Sequence, residues 1–137
     1  MHRPLGRIRA LGFVLLVAGV AASSATAAPP DAKVRLDGQA ELLAPAVVRV
    51  TVSYKCAQGA EGVQLEASVS QPDTEAFANT GEFRIDVLCT GKWETLALTL
   101  TPPGEPRPFE LGAAIGRATI FTAGGGTERR RPVRIAG

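Results

Sequence analysis

The chain has 137 residues, enough for about one domain and too few for two sizeable cores. Its formal charge is +2, from 15 basic and 13 acidic side chains. Arg3, Arg7, Arg9 and the single histidine, His2, all precede an apolar run; without that leader the balance is 12 basic against 13 acidic, or −1, and no histidine remains. That excludes Ser-His-Asp, Cys-His and His-ligated metal chemistry from the rest of the chain.

Met1 to Arg9 carries positive charge and no acid, and Ala10 to Ala22 is apolar, which is the order of a secretory signal. The apolar run falls short of the roughly 20 residues that a helix needs to cross the bilayer core. Ala25-Thr26-Ala27 fits the small-x-small pattern read by signal peptidase. The expectation is a signal peptide over residues 1–27 and one domain over residues 28–137, released outside the cell with no transmembrane segment. A lipoprotein would need a cysteine directly after the run, and the first is Cys56. In an exported chain, Cys56 and Cys89 are most simply read as one disulfide. A redox or metal role would require a CxxC spacing or further ligands, and neither is present.

Beyond Pro30 the sequence reads in twos, the period of strands. Val34 and Leu36 give a short first strand. Val48, Val50, Val52, Tyr54 and Cys56 alternate with Arg49, Thr51, Ser53 and Lys55, the clearest strand of the chain. Val63, Leu65, Ala67 and Val69 form the next. Phe83, Ile85, Val87 and Cys89 alternate with Glu82, Arg84, Asp86 and Leu88, which places Phe83, like Tyr54, on an inward face. Leu96, Leu98 and Leu100 follow, then the stretch from Ala114 to Phe121, and finally Val133 and Ile135. Turn signals separate them, among them Asp37-Gly38, Gln71-Pro72-Asp73, Thr90-Gly91-Lys92 and Pro102-Pro103-Gly104. Gly124-Gly125-Gly126 lacks the lysine and following helix of a phosphate-binding loop and reads as a hairpin. Seven such strands predict an all-β, antiparallel sandwich of two sheets. Alternation alone does not separate it from a small closed barrel.

Several of these pieces together resemble small exported immunoglobulin-like β-sandwich proteins of high-GC Gram-positive bacteria. They are Val34-x-Leu36-Asp37, Val50-x-Val52-x-Tyr54-x-Cys56, Val69-x-Gln71, Cys89-x-Gly91 with Leu96-x-Leu98-x-Leu100-x-Pro102, and Phe109-x-x-Gly112-x-Ala114-x-x-x-Ala118. The resemblance implies a fold and a compartment and no activity. The chain departs from antibody-type domains in one respect: its only tryptophan, Trp93, follows the second cysteine, not the first. That leaves open whether the disulfide spans two sheets or ties neighbouring strand ends.

For chemistry, two carboxylates acting as acid and base are the enzymatic option left, with Asp73 and Glu75, or Glu82 and Asp86, as pairs. Arg84 stands between the latter two, as on an ordinary solvated surface. Ser53 and Lys55 share an outward face with no Ser-x-x-Lys arrangement, and the acids are too scattered for a calcium loop. No enzyme, cofactor or metal is therefore expected.

Binding readings are stronger. Arg129, Arg130 and Arg131 concentrate charge beside the last strand, either to meet an anionic envelope component or to blunt an exposed edge strand. Nucleic acid is not expected, because interleaved aromatics are missing. Trp93 is either packing or a sugar platform, with Phe77 a weaker candidate of the same kind. The segment Pro102 to Pro108 is a stiff loop in which Arg107 would be the specificity residue of an inhibitor of another secreted protein, a hydrolase.

Overall fold

The computed structural model describes residues 32–137; the expected signal peptide over residues 1–27 lies outside the described residues. Eight strands and no helix make up the described chain: β1 (Lys33–Ala44), β2 (Val47–Lys55), β3 (Gln64–Gln71), β4 (Ala76–Asn79), β5 (Ile85–Asp86), β6 (Glu94–Leu100), β7 (Gly112–Thr122) and β8 (Gly125–Ala136). They lie in one hydrogen-bonded sheet in the order β4-β3-β7-β8-β1-β2-β6, with β5 beside β3. The sheet curls until its ends meet, where Asn79 and Thr101 exchange backbone hydrogen bonds of 3.0 Å.

Period-two burial explains the curl. Val48, Val50, Val52 and Tyr54 on β2, Leu65, Ala67 and Val69 on β3, and Ala114, Ala118 and Ile120 on β7 are all buried, as are Leu98 and Leu100 on β6. Each strand thus offers one apolar face, and folding the sheet over on itself buries all of them in a shared core. Gly116 lets the two halves approach: a Cβ there would stand 2.3 Å from Leu36 Cδ2 and 2.8 Å from Val133 Cγ1.

The predicted disulfide is present, joining Cys56 to Cys89 with a Cα–Cα distance of 5.0 Å. It ties the end of β2 to the segment entering the neighbouring β6, which makes it a corner clasp. Gly91 N–H donates to Cys56 O (2.9 Å), Gly59 N–H to Cys89 O (3.2 Å) and the Tyr54 hydroxyl to Leu88 O (3.1 Å), so the same corner is held by backbone.

Three strand expectations need correction, the first being that β1 does not end at Leu36 but runs on to Ala44, with Asp37-Gly38 a bulge in it and not a turn. Residues 82–89 do not form a strand: only Ile85–Asp86 pairs with β3, and Phe83 is 83% exposed, not inward. β4 and β5 both seek the same edge of β3, at Ser68–Gln71 and at Gln64–Leu65, so the chain between them must leave the sheet. The last strand, conversely, is far longer than Val133 and Ile135. It pairs with β7 from Gly125 to Ile135, through a tight hairpin at the glycine run.

Candidate binding cleft

β1 pairs with β2 along its whole length, but with β8 only over Gln39↔Arg134, Ala40↔Ile135 and Glu41↔Ala136, in parallel. Continuing that register would set Asp37 against Pro132 and Leu36 against Arg131. The ladder stops there for two reasons legible in the residues. Pro132 has no N–H to donate, and is tolerated beside β7 because the missing donor faces the other way. On β1 the register slips between Leu36 and Ala40, so that Asp37, Gly38 and Gln39 bulge opposite Thr51.

Where the two strands part, a cleft of about 550 Å³ opens, lined by Val34 to Asp37, the outward hydroxyls of Thr51 and Ser53, and Arg129 to Pro132. Arg131 is the one arginine of the cluster with a structural task. Its Nη1 donates to Leu36 O at 2.9 Å, and its guanidinium lies over Gly38, where a Cβ would stand 2.8 Å from Nη2. It thereby replaces the strand neighbour that Leu36 lacks. Arg129 and Arg130 are exposed and make no ion pair among the described residues, unlike Arg117, which pairs with Glu128 across the hairpin. Arg35 also lines the cleft, and its guanidinium stacks 4.0 Å from the centre of the Trp93 ring. Four arginines thus meet one acid, Asp37, at this place.

The other sequence candidates lie elsewhere. Trp93 is half-buried, with one ring face taken by Arg35. Arg107 sits on the exposed loop and pairs with Glu75 at 2.9 Å. That loop is rooted firmly. Phe109 is buried and donates its N–H to Pro45 O (2.7 Å), while the buried Gln71 amide donates to Glu110 O (2.9 Å) and Ala113 O (3.1 Å) and accepts from Glu110 N–H (2.8 Å). Phe77 lies on β4, 41% exposed. Glu82 and Asp86 share no strand face, and Asp86 accepts from Gln64 (2.9 Å). Ser53 bonds Thr95 across the strand pair (3.1 Å).

The structure therefore brings Arg129, Arg130 and Arg131 together with Arg35 and, through it, Trp93, and leaves Arg107 and the cysteines apart. The arginine cluster does not guard an outer edge as expected, because β8 lies between β7 and β1. The β1 wall of the cleft was not foreseen; its signals are Gly38 inside a strand pattern and Pro132 inside another.

No protein-family model matches the chain, and no curated protein matches it. Among solved structures it is similar to a β-glucosidase from Listeria innocua, in complex with gluconolactone, at 13% identity and a TM-score of 0.42, covering 80% of this chain and 16% of that one. It is also similar to Spo0M, a sporulation control protein from Bacillus subtilis, at 17% identity and a TM-score of 0.40, covering 77% of this chain and 49% of that one.

Proposed function

We propose that the chain is an exported, non-catalytic binding protein of the extracellular or cell-envelope space, built as an immunoglobulin-like sandwich, with the β1–β8 cleft as its surface for an anionic ligand. The observation that carries this reading is that Arg129 and Arg130 stand at the cleft exposed, with no acidic partner among the described residues. Guanidinium groups left unpaired keep their bidentate donors free for carboxylate or phosphate. The signal-like leader and the disulfide support an oxidising compartment outside the cell. The facing halves of the curled sheet, with β1 shared between them, support the sandwich reading.

The test is retention on anionic cell-wall material in a rising salt gradient. The protein should elute later than its Arg129→Ser/Arg130→Ser variant, and coincident elution would remove the reading. Arg131 is left intact because it holds β1. A second reading, inhibition of a secreted hydrolase through residues 102–108, is favoured by the way Phe109 and Gln71 root that exposed loop. It requires that trypsin-like secreted proteases lose activity on incubation with the protein; unchanged turnover at micromolar inhibitor removes it.

A further inference from the structure

Among the described residues, the open register between β1 and β8 leaves main-chain groups without a strand partner on both walls, of which Leu36 O is met by a side chain. Leu36 O accepts from Arg131, so it points away from β2 and into the cleft. In an antiparallel pair the N–H and C=O of one residue point the same way, and residues two apart repeat it. Leu36 N–H, and both backbone groups of Val34, therefore face the cleft as well. On β8, Pro132 turns its missing donor away from β7, so Arg130, two residues earlier, presents its N–H and C=O to the same opening. Among the described residues no strand pairs with β1 on this side before Gln39, nor with β8 before Arg134.

We propose that the cleft takes an extended acidic polypeptide segment as an added strand, which rests on the reading of this cleft as the anion-binding surface. Main-chain bonds to Val34, to Leu36 N–H and to Arg130 would supply the pairing, with Leu36 O staying with Arg131, in the mode of recognition in which a peptide adds a strand where a sheet's pairing is open. Arg129 and Arg130 would select for carboxylates along it, since Asp37 is the one acid lining the site. Two features set the chemistry apart from that of a bare anion site. The open donors and acceptors repeat at the strand period, and the outward hydroxyls of Thr51 and Ser53 extend the lining beyond the arginines.

The experiment uses the disulfide-bonded protein and three probes at low salt: a synthetic peptide alternating glutamate with valine, the same peptide N-methylated on alternate backbone amides, and inorganic polyphosphate. Binding is followed by fluorescence of Trp93, the single tryptophan, which Arg35 links to the cleft. Amide hydrogen exchange provides the second readout. The expected result is that the peptide slows exchange at Val34, Leu36 and Arg130, and that N-methylation or Arg129→Ser/Arg130→Ser each weakens binding by about tenfold or more. Equal affinity for the N-methylated peptide would overturn the proposal, because charge alone would then account for binding. Polyphosphate binding that depends on Arg129 and Arg130, with no peptide binding, would also overturn it while leaving the anion-binding reading intact. If none of the probes binds, both fail.

Discussion

Gly116 offers the sharpest test of the way the two halves of the sheet meet. It sits in the middle of β7, paired with Val69 on one side and Arg131 on the other. Replacing it with alanine has two opposing effects. A glycine inside a strand costs roughly 0.5–1 kcal/mol relative to alanine through backbone entropy, and the substitution recovers that. Against this, the new methyl would lie 2.3 Å from Leu36 Cδ2 and 2.8 Å from Val133 Cγ1, distances at which atoms must move. Both neighbours are buried and branched, so they cannot swing away as a flexible surface chain would, and overpacking of this kind costs about 1–3 kcal/mol. The net expectation is that Gly116→Ala destabilises by about 1–2 kcal/mol. Urea unfolding followed by Trp93 fluorescence measures it. Combining the change with Leu36→Ala, which removes the clashing methyl, should give a double variant less destabilised than the sum of the singles, by about 1–2 kcal/mol. A neutral or stabilising Gly116→Ala, or strict additivity with Leu36→Ala, would refute the close approach of β7 to β1.

Three other perturbations probe different parts of the molecule. Replacing both cysteines with alanine frees a loop with a sequence separation of 33; chain entropy then predicts a loss of about 3.7 kcal/mol. For a domain of this size that is a fall of about 15 °C or more in Tm by circular dichroism, and a fall of only a few degrees would show that the backbone bonds of the corner suffice. Tyr54 has its pKa raised above 10.0, first by burial and then by the charge of Glu94. The folded state therefore favours the neutral phenol: its contribution to stability is complete below the unfolded value and is lost as pH rises through the higher folded one. Tyr54 is the single tyrosine, so tyrosinate absorbance reads it directly, and a midpoint at or below the ordinary value contradicts the assignment. Gln71→Ala leaves the N–H of Glu110 without its buried partner and should cost about 1–3 kcal/mol in urea unfolding, with faster proteolysis of the 102–108 loop. Unaltered proteolysis would mean that Phe109 alone roots the loop.

Much of this fold could be read from alternation, and the failures have physical causes. β2, β3 and β6 carry an unbroken period of two and are found where that period places them. Cys56 and Cys89 are joined, as the expectation of an oxidising compartment suggested, with the bridge at a corner. Phe83 fits the same alternation, yet stands in solvent, because the pairing edge it needed is shared with β4, whose Ala76-Phe77-Ala78-Asn79 is too short to show a period. The part of β8 before Val133 escaped notice for the opposite reason. Glu128 to Arg131 has no apolar alternation, and the strand exists because the hairpin at Ala123-Gly124 zips it onto β7. The arginine cluster was visible as charge. Its partner wall was not, since Gly38 and Pro132 mark breaks in two strand patterns but only the backbone shows that those breaks face one another.

The row of guanidinium groups on β8 also bears on self-recognition. A strand with unmet main-chain groups is an invitation to any neighbour, and the commonest neighbour of a protein is another copy of itself. Two copies brought together about a two-fold axis at this cleft would bring Arg129 and Arg130 of one against the same residues of the other, with Asp37 the one acid lining it. Like charges facing one another oppose such pairing. The charge that would welcome an acidic stranger would thus oppose self-pairing at this cleft. Neutralising Arg129 and Arg130 would then cost solubility as well as binding.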